Sequence, residues 1–574
     1  MAQRGGAVHV VTTERAYKGR VYRTHLLRRS YRDNGKVKNE TLGNLSHLPD
    51  ELIDVVRRGL RGEKFVPANE RLEIIASTPH GDVDAVLRAM RRLDFSSLLS
   101  SRPCREVDLV VGMVVARIVA PDTKLATTRW WHSRTLAEDL DIGEANEDDL
   151  YAAMDWLLER QDAIERKLAA RHLQPGGLVL YDLSSSYFEG KCCPLAAMGN
   201  NRDGKKGKLQ VNYGLLTDRR GCPVAISVFS GDTGDTTTFL PQVRKLRDAF
   251  GLEQMVLVGD RGMISSASIA ELRAEDFGWI TALKSAQIHT LIDDGQLQLG
   301  LFDHRNLVEI SHPDFPGERL VACRNPELAK LRGHKREALI AATTEELEKV
   351  RNMVARGKLK GSAEIGVRVG KVVNKYKVAK HFELTITNHS FDFSLRQSRV
   401  AAEAALDGIY VIRTGVPKRT MSSGDAVRSY KALSSVERAF RSLKTVDLKV
   451  RPIHHRLETR VCAHIFLCML AYYVEWHMRD AWAELLFADE DQAAKATRDP
   501  VAPAQRSAAA ERKASSKQLE DGTPVHSFRT LIEELSTIVR NTCRVPKTDH
   551  TFPMLTIPND LQLRARELLD TIVA

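Results

Sequence analysis

Two short apolar runs, each stopped by an aspartate, constrain this chain more than any other feature of its sequence. One is LVLYDLSSSYFEG, a β-rich stretch that carries Asp182. The other is MVLVGD, in which Met255 to Val258 are all apolar and Asp260 closes the run. Apolar runs of four to eight residues with turn signals beside them read as buried strands. Around them, GKLQVNYGLLTDRRGCPVAISVF reads as a hairpin turning at Arg220–Gly221, a helix is predicted over 237–250, another over about 265–275, and WITALK is a further strand. The element order is β-β-β-α-β-α-β. Taken singly, each aspartate reads equally well as a turn residue at a strand end.

The rest of the chain is organised around this block. At roughly 150 residues per domain, 574 residues imply three or four domains. Residues 1–75 form an N-terminal basic region. Its first 45 residues alternate Tyr17, Val21, Tyr22, Leu26 and Tyr31 with basic residues and are predicted as short strands, with turns at Gly19 and Asn34–Gly35; a helix is predicted over 49–75. Residues 76–174 are predicted as a helical domain. Within it, LYAAMDWLLERQDAIERKLAARHL reads as one long amphipathic helix ending near Pro175–Gly176–Gly177. The core occupies 175–285 and resumes over 402–480. Between them, 286–401 reads as a β-rich insertion with strand-like runs (LVEISH, RLVACR, IGVRVGKVV, HFELTIT) and a charged helix near 327–355. Residues 481–525, poor in large apolar groups, read as a mobile linker, and 526–574 as a C-terminal region with helices at 529–541 and 560–572.

Charge is concentrated. The net charge is +11, yet Met1–Glu40 carries 10 Lys/Arg against 3 Asp/Glu, and Arg413–Arg460 carries 12 against 4. Two basic regions on a near-neutral body suit contact with a polyanion at two places. The eight cysteines (104, 192, 193, 222, 323, 462, 468, 543) contain no CxxC pair, which predicts a reduced protein without structural zinc. His454, His455, Glu458 and His464 lack an HExxH spacing and read as helix-surface or core residues. The chain starts without an apolar leader. Its most apolar stretch, Val461–Val474, is too short to span a bilayer and reads as a buried helix. The expected location is cytoplasmic.

Phosphodiester cleavage needs an activated water and a stabilised leaving oxygen. Two divalent ions about 4 Å apart supply both when three carboxylates from separate elements clamp them, and magnesium takes only a few protein oxygens. The third carboxylate is found in YKALSSVERAFRSLK. Tyr430, Glu437 and Lys444 are spaced by seven, nearly two helical turns, and so share a face. Ala432, Val436, Ala439 and Leu443 form an adjacent apolar stripe suited to packing on a sheet. Glu437 stands alone among Lys431, Arg438, Arg441 and Lys444, whereas a solvated charged face ordinarily mixes signs.

The element order resembles the ribonuclease H-like fold, an α/β core with a mixed five-stranded sheet, in which the first and fourth strands lie side by side. The residues resemble DDE transposases of bacterial insertion sequences, in the group with a long insertion before the glutamate and a Tyr-x2-Arg-x3-Glu-x6-Lys signature. Tyr430, Glu437 and Lys444 match it, and Leu433 stands at the arginine position, where Arg438 or Arg441 would have to substitute. The match extends to YDLSSSYFEG, GNNRDGKKGKLQVNYGLLTD, GDRGM and VRPIHHRLETRVCAHIFL.

The resemblance implies a catalytic, metal-holding triad of Asp182, Asp260 and Glu437 with two Mg2+ ions, Mn2+ being an acceptable substitute. It implies DNA contacts by Tyr430, Lys444, Arg441, Arg438 and Arg261. It also implies binding of terminal inverted repeats, strand cleavage and strand transfer into target DNA. The expected partners are element ends and target duplex, engaged by a homodimer or larger synaptic complex that associates with the nucleoid and with no membrane. A related nuclease, or a copy that no longer transposes, would keep the same core. A non-catalytic DNA-binding regulator would not need the three acids, and a two-carboxylate glycosidase leaves the basic helix unexplained. Asp203, in NNRDGKKGK, reads as a turn aspartate.

Overall fold

The computed structural model describes residues 7–573 except 19, 34, 64, 66–71, 299–301, 303–305, 491–497, 503–504 and 547. It divides into two compact units, Met1–Ser77 with Arg540–Leu555, and Thr78–Val539 with Thr556–Ala574. The expected turn residues Gly19 and Asn34 lie outside the described residues.

In the first unit, Val8–Tyr17, Arg20–Asp33 and Lys36–Asn44 form an antiparallel meander, followed by a helix at Asp50–Leu60. These strands are longer than the short ones expected, and the helix stops well before 75. Beyond it, Glu73–Pro79 is a strand beside Val539–Arg544, which also pairs with Thr551–Leu555. The helix expected over 529–541 therefore ends at Leu535, and a strand takes over at Val539. Strand partners distant in sequence decide this, because local propensity around VRNTCR is weak.

The second unit is built on an eight-stranded sheet. The helices Glu147–Leu158 (α1) and Gln161–His172 (α2) precede it. Its strands are Leu178–Tyr187 (β1), Gln210–Asp218 (β2), Pro223–Ser230 (β3), Val256–Val258 (β4), Gly278–Ala282 (β5), Leu307–Ile310 (β6), Arg319–Arg324 (β7) and Ile409–Thr414 (β8), in the order β6-β7-β8-β5-β4-β1-β2-β3. The helices Asp235–Arg244 (α3) and Ser266–Ala274 (α4) connect β3 to β4 and β4 to β5. β1, β2 and β3 are antiparallel, β4 runs parallel to β1, and β5 parallel to β4.

The expected five strands thus grow to eight: β8, in the resumed part of the core, pairs with β5, and β6 and β7, assigned from sequence to the insertion, extend the sheet through it. The insertion is also less β-rich than expected. Pro326–Ala355 (α5) agrees with the charged helix, but IGVRVGKVV lies inside the helix Ser362–Tyr376 (α6). Its buried Ile365, Val369, Val372 and Val373 follow helical spacing, which outweighs their β-branched preference. With a hairpin of Phe382–Ile386 and Phe391–Leu395, α5 and α6 enclose a small core of their own around Leu347, Val350 and Phe391.

The long helix expected over 150–173 is two. α1 docks on the helices Arg105–Val119 and Glu458–Ala481, whereas α2 docks on β3, and the break at Glu159–Arg160 lets each follow its own partner. The supposed linker is partly ordered. Val501 is fully buried, Ala508–Ser516 is helical, and Lys513 buries its stem while Nζ donates to the Ala483 carbonyl at 3.0 Å. Low apolar content misled here because a lysine does the anchoring.

After β8 come Ser423–Lys431 (α7), Leu433–Arg441 (α8) and Glu458–Ala481 (α9). α9 runs beyond the apolar stretch that announced it. Among the described residues it is the one helix long and apolar enough to cross a membrane, and 89% of its apolar window is buried inside the protein.

The hairpin between β2 and β3 turns where expected. Asp218 accepts from the backbone N–H groups of Arg220 and Cys222, and Gly221 takes φ +88°, a left-handed value suited to glycine. Gly214 in β2 faces Tyr181 so closely that a Cβ would lie 2.1 Å from the tyrosine oxygen. Gly214→Ala is accordingly expected to cost about 1–3 kcal/mol by overpacking, measured by urea unfolding. Unchanged stability would mean that the Tyr181 ring has room to move.

Candidate active site

The pairing of β1 with β4 sets Leu180 opposite Val258 in parallel register. Asp182 and Asp260 each lie two residues further on, at the same level, Asp182 midway along β1 and Asp260 just past the end of β4. Alternation along a strand sends residues two apart to the same face, so neighbouring parallel strands offer both carboxylates together. α8 packs across β1 with Val436 and Ala439 fully buried, and this leaves Glu437 exposed toward the strand ends. All three acids line one pocket of about 460 Å³, along with Asp235, Arg202, Arg441, Lys444 and a floor that includes Met263 and Phe440.

The electrostatics of this pocket are unbalanced. Asp182 accepts a 2.8 Å hydrogen bond from the Leu183 N–H. Burial, and then the negative charges of Asp260 and Glu437, nevertheless push its carboxyl up to about 7. The Tyr430 hydroxyl donates to Asp260 Oδ1 at 3.1 Å. Among the described residues none of the three carboxylates makes an ion pair. Two of the lining cations are already engaged, since Arg202 pairs with Asp235 and Lys444 with Asp203.

The helix carrying Glu437 is not the single one expected. Its hydrogen bonds tighten at Ala432, where α7 passes to α8, and loosen into a π-turn over Ser442–Val446. Tyr430, Glu437 and Lys444 thus sit on three successive segments and still converge. Of the residues expected on DNA, Arg441 lines the pocket and Arg261 and Arg438 are exposed. Lys444 is not exposed. The π-turn buries it, and Nζ donates to Asp203 Oδ1 at 2.9 Å with 10% and 2% of the two side chains accessible. Burial holds this lysine below its ordinary pKa range despite the aspartate. Leu433, at the signature's arginine position, packs against the core.

Sequence reasoning missed the weight of Asp203. Its carboxylate takes the Tyr187 N–H at 2.9 Å and pairs with both Lys444 and Arg451. The signal was present in the polar NNRDGKKGK segment, but its charged partners lie some 240 residues away and nothing local points to them. Asp203→Asn would leave buried Lys444 and half-buried Arg451 uncompensated, a loss of about 3 kcal/mol. Chemical denaturation should register it, and a variant as stable as the parent would remove the anchoring role. Asp235 was missed as well. It begins α3 and enters the pocket through its pair with Arg202.

Comparison with known proteins supplies a family context. A model described as a transposase DDE domain matches residues 191–474, a span that begins after Asp182 and contains Asp260 and Glu437. A model described as the N-terminal domain of IS1634 family transposases matches residues 10–70. No curated protein matches the chain. Among solved structures, the cryo-EM structure of the piggyBac transposase synaptic complex with hairpin DNA aligns at 9% sequence identity over 79% of this chain and 78% of that one, with a TM-score of 0.32.

Proposed function

The chain belongs to the DDE transposases of insertion sequences, and from that premise we propose that it binds the terminal inverted repeats of its element, cleaves the DNA at those ends and joins the freed 3′-hydroxyls to target DNA. Asp182, Asp260 and Glu437 are the catalytic carboxylates in this reading. The observation that carries it is their convergence, from two adjacent strands and one helix, on a single polar pocket.

The donor set fits hard divalent cations. All three donors are carboxylates, and the burial and then the like charges that raise Asp182 both disfavour an uncompensated anion that a bound cation would stabilise. Two Mg2+ ions, or Mn2+ in their place, would supply an activated attacking oxygen and a stabilised leaving oxygen. The protein's own groups prepare the site. Tyr430 orients the Asp260 carboxylate, and the Asp203–Lys444–Arg451 cluster fixes the end of the helix that presents Glu437. Arg441 at the pocket, with exposed Arg261 and Arg438 nearby in sequence to the acids, offers positive charge to the phosphates.

The strand pattern supports a ribonuclease H-like core: three antiparallel strands, then a parallel strand beside the first, with one acid midway along the first strand and another just past the end of its parallel neighbour. Repeat recognition is assigned to the N-terminal region. A synaptic dimer or larger assembly follows from the need to hold two ends at once. The direct test is incubation of the protein with duplex carrying its element's ends, with and without Mg2+. Metal-dependent cleavage at the ends followed by joined products supports transposition. Nicking without joining would favour the related-nuclease reading, and no cleavage at all would reject the proposal.

A further inference from the structure

A second constellation lies outside the acidic pocket. The end of α2, the turn between β2 and β3, and the last turns of α9 bring together His172, Cys222 and His477, which are 50 and 255 residues apart. One ligand atom from each, two ring nitrogens and the sulfur, all lie within 4.8 Å of one another. The Cys222 sulfur is 3.8 Å from His477 Nε2, and the two imidazole rings are 5.6 Å apart. Cys222 is fully buried and His477 is 7% exposed. We propose that these three side chains bind one Zn2+-class cation, which ties the helical block, the β2–β3 hairpin and α9 together.

The chemistry selects the ion. Two nitrogens and one sulfur form a borderline-soft donor set, which suits zinc and not the hard magnesium of an all-oxygen site. Tetrahedral zinc, with bonds of about 2.0–2.3 Å, separates its ligand atoms by roughly 3.3–3.6 Å. The sulfur–Nε2 distance is already close to that, and a small rotation of half-buried His172 completes the approach. Its Nε2 lies 3.1 Å from the Tyr473 hydroxyl, an outer partner that steadies the ring. Burial holds His172 down at about 4 and His477 at about 3, so both rings are neutral and have a lone pair to give.

Burial also pushes the Cys222 thiol well up, and in the absence of a cation it keeps its proton. Binding forms the metal–sulfur bond, breaks the S–H bond and releases one proton to solvent. Asp218, 4% exposed, accepts from the Cys222 N–H at 2.9 Å and pairs with Arg220 at 2.9 Å, and Arg171 is a second nearby cation. Neither local motif nor spacing announces such a site, because a closed zinc motif ordinarily keeps its cysteines close in sequence.

The test is titration of the full-length protein with Co2+, read by the near-ultraviolet thiolate-to-cobalt charge-transfer band. One equivalent per chain should produce the band, Zn2+ should displace it, and Cys222→Ser and His477→Gln should each remove it. Asp182→Asn/Asp260→Asn/Glu437→Gln should retain it, which separates this site from the acidic pocket and from any failure of the transposase reading. Zn2+ should raise the melting temperature of the parent by a few degrees, at saturating metal, and leave Cys222→Ser unmoved. A folded parent that gives no band at saturating Co2+ overturns the proposal without recourse to any variant. A band that survives in folded Cys222→Ser overturns it too, since another cysteine would then be the ligand.

Discussion

Asp182→Asn is expected to abolish DNA cleavage while leaving the fold and repeat binding intact. In the proposed mechanism three carboxylates share the task of holding divalent cations, and removing one charge from the strand that carries Asp182 would disrupt the whole set. Metal stabilisation of the transition state amounts to several kcal/mol. At about 1.4 kcal/mol per tenfold, the loss should reach roughly three orders of magnitude in the cleavage rate. Asp260→Asn and Glu437→Gln should behave alike, and the double variants should be little worse than the single ones, as for groups that act as a unit. End-labelled repeat duplex in Mg2+ provides the assay, with circular dichroism to check folding. Were any single variant to cut within tenfold of the parent, that residue would not belong to the catalytic set. Tyr430→Phe is the milder companion, because it removes only the hydrogen bond to Asp260.

Removal of the N-terminal sheet is expected to erase preference for the terminal repeat while sparing metal-dependent nicking of generic duplex. A channel that must accept donor and target DNA of different sequence cannot carry much base readout, so specificity belongs on a separate surface. The antiparallel meander offers one. Tyr17, Val21 and Tyr22 are more than half exposed, Arg15 faces Tyr22 across the strands, and Met1–Glu40 carries a balance of seven positive charges. The truncation should start at Leu72. A cut at residue 75 would sever the strand Glu73–Pro79 that pairs with Val539–Arg544. Specific sites are bound about 10³-fold or more tightly than generic DNA, so competition footprinting should show that margin disappear. Should the truncated chain still footprint the repeat, recognition resides outside the N-terminal meander and its helix.

The three acids that line the pocket are legible in the sequence because chemistry and local pattern coincide at them. A buried strand shows itself as an apolar run, and an aspartate that follows the run interrupts it visibly, as Asp182 does midway along β1 and Asp260 just past β4. Glu437 was legible through helical spacing, which held even though the helix is broken at Ala432 and widened at Ser442. Lys444 shows the limit of the same reasoning. Its position on the face was read correctly, but its burial against Asp203 was not, since burial depends on an element some 240 residues earlier.

The sequence by itself determined the local alphabet of this protein: the apolar runs of β1 and β4, the Gly221 turn, the stripe of Val436 and Ala439, and the two basic regions. These depend on neighbours within a few residues, where periodicity and turn preference act directly. The tertiary structure alone decided that β6 and β7 join the main sheet, that Ile365 to Val373 lie in a helix, and that Val539–Arg544 pairs with a strand beginning at Glu73. It also decided the company of His172, Cys222 and His477. Each of these turns on which distant segments exclude water together, and apolar burial is non-directional, so no local signal names the partner.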